Sequence, residues 1–444
     1  MLIYVSKLTN RIGYTLNVVF RNILHIDFKI TSDASYFEQY KGIKLCYNSQ
    51  PIGDCFWVKP SGILLQTNID FQDLHPFEYE DLPVLFPVYG RKLDLPFDVF
   101  GAAFYLLSRY EEYLPHRNDV HGRFIVQESI AFQKGFLSKP IVDHWALLLA
   151  KKIGEKYPDF TIPERNFDMV ETIDIDAAFC YRHKGFFRFF TGMFRDLIIR
   201  KDYAEARRRI RVIFKQEQDP FDTFDYILDI KNQHPSIPIV FFALLADYGV
   251  YDKNISYLNE EFRQLLKHLG DYAKLGIHAS YASLDNLDLI ETERDRLAEI
   301  VHRNIVRNRS HFLRIELPKS YQRMVNIGIR HDFSMGYADL PGFRSGTCHN
   351  FPFYDLEQNS ELPLTIHPFC LMDATLKRYM KLSPEKSLAA IKELMDEVAK
   401  VGGTFCCIWH NENLCESFGW QGWRKVYESM LNYAEELKNR HYKQ

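Results

Sequence analysis

Two carboxylates stand side by side at the end of the stretch FDMVETIDIDAAF (167–179), which otherwise has the apolar content of a β-strand. Side chains two residues apart on an extended chain share one face, with Cα atoms about 6.5 Å apart. Thr172, Asp174 and Asp176 are therefore expected on the same face. Two like charges this close are costly unless something binds them or separates their pKa values. The pair predicts a site that holds a cation or divides two acid–base roles.

Histidines recur at the ends of later predicted strands. They are His278 in LGIHA, His331 before Asp332 in IGIRHD, His367 in LPLTIHP and His410 in TFCCIWH. In barrels and open α/β sheets, catalytic side chains collect at the carboxyl ends of the strands. Imidazoles and carboxylates placed together suit a divalent ion that activates water, with a spare carboxylate as base and a spare imidazole as acid. Taken singly, each histidine is more often structural, and either aspartate could cap the next helix. Their joint position predicts a metal-dependent hydrolase.

The elements that must position these residues alternate from residue 166 onwards. Seven apolar runs are separated by helical stretches such as 287–305 and 383–403. The second of these helices has Ser383 as its N-cap, Pro384 in its first turn and glycines after its end. The alternation predicts an α/β fold over residues 166–444, a distorted (β/α) barrel of seven strands. The predicted strands are 169–174, 237–245, 275–279, 311–317, 327–332, 362–368 and 404–410.

The first 165 residues have a different texture and predict a smaller α+β domain of unknown role. Alternating runs at 15–20 and 63–71 predict β structure. The apolar spacing at 97–114 and 141–157 predicts helices. Segment 158–166, with two prolines, is the predicted linker between the domains.

The string SRYEEY (108–113) concentrates charge within this N-terminal domain. Arg109, Glu111 and Glu112 are expected to form pairs on a helix surface. A charge network against the mouth of the barrel is the alternative.

Overall composition excludes several classes of protein. The chain has 444 residues, 46% of them hydrophobic, with a formal net charge of −3, so no nucleic-acid partner is predicted. The N-terminal residues lack the pattern of a secretory signal, and no window offers about 18 apolar residues, which predicts a cytoplasmic protein without a membrane span. The eight cysteines show no metal-type pairing and are expected to be reduced, mostly buried thiols.

One segment is strongly basic. Residues 182–215 carry eleven Lys or Arg against three acids, interleaved with apolar residues. They belong to an insertion at about 182–232, between the first two barrel strands, where a simple barrel needs only one helix. The expected structure is a solvated helical insertion packed on the barrel. The alternative is peripheral contact with an anionic membrane.

Residues 168–415 resemble the polysaccharide deacetylase family, the NodB-homology carbohydrate esterases. That family has a Thr-Phe-Asp-Asp-Gly motif, a metal-binding His-[Ser/Thr]-x-x-His motif, an arginine-bearing third motif and a closing Leu-x-His motif. The strings that resemble these four motifs are TIDID (172–176), IHASYAS (277–283), NRSHFL (308–313) and IWHN (408–411). The layout is similar to a bacterial branch of the family with a long N-terminal domain.

The resemblance implies a role for each matching residue. The implied roles are Asp174 as general base, Asp176 and His278 as metal ligands, Arg309 as the residue that orients the base, and His410 as general acid. Asp332 falls where the family has its fourth, aspartate-bearing motif, and is implied in catalysis.

The sequence departs from the family at two positions that bear on the metal. Ile175 separates the two aspartates, so an exchange of roles between Asp174 and Asp176 stays open. Ala282 replaces the second histidine of the metal motif. An Asp–His pair binds a divalent ion poorly, so a third ligand is needed. His311 is the first choice and Ser283 the second. The alternatives are a rearranged metal site or a lost one.

The resemblance implies a metal-dependent hydrolase that removes acetyl from an N-acetylated sugar. The carbohydrate substrate would be a polysaccharide or its nucleotide- or lipid-linked precursor. One divalent ion is implied, with zinc expected and nickel, cobalt or iron as alternatives. Two other functions stay open: hydrolysis of another C–N or ester bond, and a catalytically silent barrel that binds glycan or protein.

Overall fold

Apolar runs such as LIYV (2–5), IVFFA (239–243) and FCCIW (405–409) form interior strands of this protein's sheets, because β-branched and aromatic side chains pack well on a pleated surface. The computed structural model describes residues 1–286 and 288–440. Its strands are β1 (Leu2–Val5), β2 (Lys29–Thr31), β3 (Lys44–Tyr47), β4 (Phe56–Val58), β5 (Phe77–Tyr79), β6 (Leu82–Val84), β7 (Asp168–Ile175), β8 (Ile239–Ala243), β9 (Lys274–Ala279), β10 (Arg307–Ser310), β11 (His331–Asp332), β12 (Phe351–Asp355), β13 (Ser360–Ile366), β14 (Leu371–Met372) and β15 (Thr404–His410). Its α-helices are α1 (Asn10–Leu16), α2 (Ala34–Gln39), α3 (Val99–Leu107), α4 (Ile130–Gln133), α5 (Ile141–Lys156), α6 (Gly185–Phe194), α7 (Tyr203–Ile213), α8 (Phe224–Gln233), α9 (Glu260–Tyr272), α10 (Asp288–Val301), α11 (Lys319–Asn326), α12 (Pro384–Val401) and α13 (Trp423–Asn439).

A large parallel sheet organises the second part of the chain. Within the described residues it has nine strands, in the order β12-β13-β11-β10-β9-β8-β7-β15-β14. In this order, the eight strands that begin with β13 and end with β14 all run parallel. β12 pairs antiparallel with β13 at one edge. Parallel strands alternating with helices confirm the predicted α/β class. The helix predicted at 383–403 is confirmed as α12, with Ser383 as N-cap and Gly402 in a left-handed conformation at its end.

The closed barrel of seven strands is not confirmed. In the part of the chain that the structure describes, β13 and β14 form no pair, and the sheet stays open. Only residues 367–370 separate these strands, whereas parallel neighbours need a crossover of about a dozen residues. The short segment instead runs across the opening. The His367 amide donates to the Asp332 carbonyl (2.8 Å), and the Cys370 amide donates to the Cys406 carbonyl (3.0 Å).

The strand predicted at 311–317 is wrong. The strand at this point of the sheet is β10, which ends at Ser310, and the apolar residues after it form a tight turn. Phe312 and Leu313 have φ angles of 57° and 58°, a left-handed conformation that an extended strand excludes. β10 itself has the sequence RNRS. A hydrophobic pattern does not reveal so polar a strand.

The first part of the chain contains a separate four-stranded parallel sheet, in the order β2-β1-β3-β4. The helices predicted at 97–114 and 141–157 are confirmed as α3 and α5. The strands predicted at 15–20 and 63–71 are wrong. The first lies in α1 and the π-helical turn that continues it, and the second contains only a short 3-10 turn. Short apolar runs fit a buried helix as well as a strand. The domain boundary near residue 165 stays a prediction.

A buried charge network joins the N-terminal part to the residues beyond β11. Arg109 donates to Glu111 (2.8 Å) and Glu112 (2.7 Å), and Arg344 donates to Glu112 through two nitrogens (2.9 and 2.7 Å). The expectation of helix-surface pairs is therefore wrong, because these side chains are buried. Burial alone would raise the pKa of Glu112, but the Arg344 and Arg109 guanidinium groups lower it to about 2. The Glu112 carboxylate thus stays ionised at neutral pH.

The basic segment is helical, as the sequence predicts, and it forms two helices. Helix α6 continues through a π-helical turn at Arg195–Ile199, and α7 follows after a short bend. No helix within residues 1–286 and 288–440 is long and apolar enough to cross a membrane.

All eight cysteines lie in the described ranges and are unpaired, as predicted. Seven are buried and Cys180 is half-buried. Burial raises the pKa of the Cys370 and Cys407 thiols well above the usual range. These thiols therefore serve as small apolar side chains in the core.

Glu171 makes stability depend on pH. It lies on the helix-facing side of β7, buried, and accepts a hydrogen bond from Tyr427 of α13. Burial raises the pKa of Glu171 from 4.5 to about 7, although the bond from Tyr427 opposes the rise. Between these pH values the folded protein binds more protons than the unfolded chain. The associated stability is present at low pH and is lost, by roughly 3 kcal/mol, as the pH rises through about 7.

We expect Glu171→Gln to remove this dependence. The melting temperature of the variant, relative to that of the wild type at the same pH, should rise as the pH is raised from about 5 to about 8. Glu393→Gln, at an exposed position of α12, is the matched control and should follow the wild type. A difference between Glu171→Gln and wild type that stays constant with pH would contradict the prediction.

Candidate metal centre and active site

Six of the seven predicted site residues, all except Asp332, meet at one edge of the sheet because they lie at or near the carboxyl ends of neighbouring parallel strands. Asp174 lies near the end of β7, with Asp176 directly after that strand, and His410 ends β15. The strand register sets Asp174 beside His410, and His278 of β9 beside Arg309 of β10. His311 immediately follows β10 in the tight turn.

Three side chains form a compact cluster of metal-ligating atoms. Asp176, His278 and His311 each offer one ligand atom, and these atoms all lie within 4.8 Å of one another. His278 Nε2 is 3.1 Å from Asp176 Oδ1, and His311 Nε2 is 3.5 Å from Asp176 Oδ2. Both imidazoles are buried, and Asp176 is partly open to the pocket.

The far nitrogens of the two imidazoles have partners that can only accept a hydrogen bond. His278 Nδ1 lies 2.9 Å from the Arg309 carbonyl, and His311 Nδ1 lies 2.8 Å from Asp252 Oδ1. Each Nδ1 must therefore carry the proton, which leaves the Nε2 lone pair of a neutral imidazole facing Asp176. Two imidazole lone pairs and a carboxylate that converge on one point repel each other unless a cation lies between them. The donor set of two nitrogens and one oxygen suits zinc with an open fourth position.

Proton affinities reflect the same concentration of negative charge. Burial alone would raise the pKa of Asp176, but His311 and His278 hold it well below the usual range. Burial alone would lower the pKa of His311, but Asp176 and Asp252 raise it to about 9. A positive charge at this point, either a proton or a metal ion, is therefore strongly favoured.

Asp174 stands beside this cluster, with an arginine as its neighbour. Arg309 Nη1 is 3.5 Å from Asp174 Oδ2, and Arg309 Nη2 donates to Thr172 Oγ1 (2.8 Å). The Arg309 guanidinium carbon also lies 5.1 Å from the ring centre of Phe242 and 5.2 Å from that of Phe369. These aromatic rings hold the guanidinium in place. Among the described residues, Asp174 Oδ1 is buried without a hydrogen-bond partner, which leaves it available to a substrate or a water molecule.

His410 faces the cluster from β15. Its Nε2 lies 3.9 Å from Asp176 Oδ2, and its Nδ1 lies 2.8 Å from Asp373 Oδ1. Burial alone would lower the pKa of His410, but Asp373 and then the two site aspartates raise it to about 10. Asp373 is itself fixed, because its second oxygen accepts hydrogen bonds from the His410 amide (3.0 Å) and from Asn413 Nδ2 (2.8 Å).

A pocket of about 300 Å³ opens over these groups. Asp174, Asp176, His278, His311 and His410 line its polar side. Its apolar side is formed by Phe312, Leu313, Ala338, Met372 and Ala374, and its rim includes Arg123, Arg378 and Tyr379. The pocket thus combines converging polar groups with an apolar wall, as small-molecule sites usually do.

Asp332 does not belong to this pocket, contrary to the prediction. It is fully buried, and its carboxylate accepts hydrogen bonds from Asn308 (2.8 Å), Tyr321 (2.9 Å) and Ser334 (2.9 Å). Asp332 therefore supports the polar strand β10. The carboxylate that contacts His410 is Asp373, which the sequence analysis missed.

Two other strand-end histidines also lie apart from the pocket lining. His331 Nδ1 is 3.0 Å from His367 Nε2, so these two imidazoles contact each other. Ser283, the second choice for a third ligand, donates its hydroxyl to the Ser280 carbonyl (2.6 Å). His311 is the residue that completes the cluster.

Asp252 and Asp373 carry little signal in the sequence. Asp373 follows β14, a strand of only two residues, so the rule about strand ends could have found it only if that strand had been recognised. Asp252 lies in the long loop after β8, and only the tertiary fold brings it to His311.

Comparisons with known proteins give a family of unknown function and distant structural likenesses. Residues 1–158 match the family described as "Family of unknown function (DUF7033)". No curated protein matches the chain.

Among solved structures, a provisionally assigned polysaccharide deacetylase from Mycobacterium smegmatis is 11% identical, with a TM-score of 0.39, covering 62% of this chain and 91% of that chain. The polysaccharide deacetylase Bc1974 from Bacillus cereus is 12% identical, with a TM-score of 0.28, covering 63% of this chain and 94% of that one. An allantoinase is 9% identical, with a TM-score of 0.38, covering 62% of this chain and 88% of its own. Similarity at this level does not indicate a shared activity.

We expect the protein to bind one divalent ion per chain through Asp176, His278 and His311. Elemental analysis of protein purified without chelators or a histidine tag should find the ion in the wild type and lose it in His278→Ala and Asp176→Ala. Asp174→Asn should retain it, because Asp174 lies beside the cluster. If Asp174→Asn lost the metal and Asp176→Ala retained it, then Asp174 would be the metal ligand and Asp176 the neighbouring carboxylate. His331→Ala is the matched control, since its imidazole lies outside the pocket, and it should retain the ion.

A second expectation concerns Asp252. Without its carboxylate the His311 ring loses the partner that fixes its tautomer and orientation. Asp252→Asn should therefore weaken metal affinity by roughly 10- to 100-fold, measured by competition with a chromogenic chelator. Asp247→Asn changes an exposed aspartate of the same loop and should leave the affinity unchanged. Equal affinities for Asp252→Asn and wild type would contradict the assignment of His311 as a ligand.

Proposed function

We propose that this protein is a metal-dependent hydrolase that removes the acetyl group from an N-acetylated amino sugar. The observation that supports the proposal best is the convergence of two imidazole lone pairs and the Asp176 carboxylate on one point. A carboxylate beside an arginine and an imidazole beside a carboxylate flank that point. A catalytically silent binding protein has no need of such an arrangement.

The residues fit a divalent cation. Among the described residues, Asp174 Oδ1 and Asp176 Oδ1 are buried without hydrogen-bond partners, as expected of atoms that face an ion or a substrate. Asp176, His278 and His311 would hold the ion. When bound, it would polarise the acetamide carbonyl and lower the pKa of a water molecule.

Asp174 is placed to act as general base. Its carboxylate takes the proton of the attacking water, and the Arg309 guanidinium, 3.5 Å away, orients the carboxylate before that transfer. Arg309 is in turn held by Thr172 and two aromatic rings, so the base has little freedom to turn away.

His410 is placed to act as general acid. Asp373 accepts a hydrogen bond from the Nδ1–H group, and the pKa raised to about 10 keeps Nε2 protonated at neutral pH. Nε2 faces the pocket, where it can donate its proton to the leaving amine nitrogen. The base and the acid thus stand on different strands, β7 and β15, with space for the amide between them.

The pocket matches an acetylated sugar in size and chemistry. Its volume of about 300 Å³ admits a single sugar ring, and the Ala338, Met372 and Ala374 wall suits an acetyl methyl group. Arg123 is paired with Asp119, but Arg378 is exposed and only loosely paired, at 3.6 Å from Glu412, so it favours a substrate that also carries negative charge, such as a nucleotide- or lipid-linked sugar.

Acetate release from a panel of N-acetylated amino sugars, free and nucleotide-linked, tests the proposal on metal-loaded protein. We expect release by the wild type and a loss of roughly 100- to 10,000-fold in Asp174→Asn and His410→Ala, with metal retained in both. Arg440→Ala, at the far end of α13, is a control that should keep full activity.

Acetate release that is equal in all variants would contradict the assigned roles. Metal binding without acetate release, but with hydrolysis of another amide or ester, would overturn the substrate class. Absence of metal after loading would favour a silent binding protein.

A further inference from the structure

The helical insertion after β7 exposes an unusual surface. We call residues 185–214 the helical hairpin; it comprises α6, the π-helical turn at Arg195–Ile199, and α7. Of the 22 large hydrophobic side chains exposed among the described residues, eight lie within this hairpin. Such a concentration of exposed apolar groups in one surface element marks an interaction site.

The inside of the hairpin holds a buried charge pair. Arg209 of α7 donates to Asp196 through Nη2 (2.6 Å) and Nε (3.1 Å), and both side chains are buried. Gly192 permits this approach, because a Cβ atom there would lie 2.8 Å from the Arg209 guanidinium carbon. The guanidinium also covers the ring of Tyr181 at 4.5 Å. The two helices are therefore joined through polar contacts.

The outside of the hairpin carries many apolar side chains, which is unusual for a surface helix. Phe194 is 59% exposed, Ile198 59%, Ile199 69%, Tyr203 66% and Phe214 71%. Phe194 and Ile198 are four residues apart along one continuous helix, so they share a face. Ile199 and Tyr203 extend the apolar surface around the bend between α6 and α7. An aqueous environment gives no physical reason to place these side chains outside and a charge pair inside.

Cations without acidic partners accompany the apolar side chains. Arg195, Lys201 and Arg207 are exposed, and within the described residues none of them has a carboxylate within ion-pair distance. By contrast, Arg211 and Lys215 at the base of the hairpin are paired with Glu217 and Glu261. Unpaired positive charge therefore lies beside the apolar surface, and paired charge lies where the hairpin joins the sheet.

The hairpin stands at the same edge of the sheet as the metal cluster. It begins a few residues after Asp176, at the carboxyl end of β7. Its contacts are with loops from that edge: Arg188 covers the ring of Tyr248 at 4.0 Å, and Arg208 donates to Ser417 Oγ (2.9 Å). Tyr248 follows β8 and Ser417 follows β15. A surface that binds the hairpin would therefore face the side on which the pocket opens.

We propose that the helical hairpin docks on an anionic membrane surface. Its apolar side chains would enter the boundary between headgroups and acyl chains, while Arg195, Lys201 and Arg207 contact lipid phosphates. Charge complementarity selects this occupant over a second copy of the chain, because two hairpins would bring their unpaired cations together. The proposal does not depend on the deacetylase assignment, since it uses no residue of the pocket.

Co-sedimentation with lipid vesicles tests the proposal on the full chain. We expect binding to vesicles of equimolar phosphatidylglycerol and phosphatidylcholine in about 20 mM salt, weak binding to pure phosphatidylcholine, and weaker binding in about 0.5 M salt. The triple variant Phe194→Ser, Ile198→Ser, Ile199→Ser should reduce the partition coefficient at least tenfold. The triple variant Arg195→Gln, Lys201→Gln, Arg207→Gln should reduce it on the order of a hundredfold.

A matched control removes the same kinds of exposed side chain elsewhere. Phe71→Ser, Leu8→Ser, Leu65→Ser alters three exposed apolar residues of the N-terminal part and should bind vesicles like the wild type. Circular dichroism and the melting temperature establish that each variant is folded. If a serine variant fails to fold, Phe194→Trp supplies the second measurement. The five native tryptophans are buried. Quenching by brominated lipid therefore reports on position 194 when its signal is compared with that of the wild type.

Each remaining outcome decides against the proposal. Equal binding to neutral and anionic vesicles would show that the unpaired cations have no role. Vesicle binding by the hairpin variants at wild-type strength would place the contact elsewhere. Absence of vesicle binding, together with a dimer that the serine triple variant abolishes, would assign the apolar surface to self-association.

Discussion

The Asp176 carboxylate and two imidazole lone pairs converge on one point at the carboxyl edge of the main sheet. This convergence is unfavourable without a positive charge between the three groups, and much of the surrounding structure serves to maintain it. The Arg309 carbonyl and Asp252 accept hydrogen bonds from the Nδ1–H groups of His278 and His311, and so direct both Nε2 lone pairs toward Asp176. Parallel strands are required, because only their carboxyl ends bring residues so distant in sequence to one edge.

The most polar strand of the sheet follows from this requirement. β10 supplies Arg309 to the base and leads directly into His311, so it cannot be built from apolar residues alone. Several of its polar groups have partners on neighbouring elements: Asp332 accepts from Asn308, Ser334 accepts from the Ser310 amide (2.8 Å), and Thr172 accepts from Arg309. Buried polar groups without such partners would cost about 1–3 kcal/mol each. Asp332 thus matters for the site, although it does not line the pocket.

Two buried clusters of charge in this protein differ in a way that fits different tasks. The Arg109, Glu112 and Arg344 network is buried and fully paired, and it fixes the N-terminal part to the region beyond β11. The helical hairpin buries a single charge pair and leaves apolar and cationic side chains outside. The first arrangement joins two parts of one chain, whereas the second is complete only against another surface. The hairpin contacts loops at the edge of the sheet on which the pocket opens.

The sequence by itself determined the strand ends that carry Asp174, Asp176, His278 and His410, because long apolar runs with a polar residue at the end are local patterns. It also determined α3, α5 and α12, whose periodicity and caps are local. It misplaced the strand near His311, because β10 is polar and the following turn is apolar. It assigned catalysis to Asp332, since chain order says nothing about which carboxylate faces His410.

Only the tertiary structure shows that Asp373 and Asp252 contact the histidines of the site. Asp373 reaches the site from the end of a two-residue strand, and Asp252 reaches it from a long loop. The tertiary structure also left the sheet open, because residues 367–370 are too few to form a parallel crossover. These cases share one physical reason. Which side chains meet across strands depends on the strand register and on the paths of the loops, and the local pattern of residues determines neither of them.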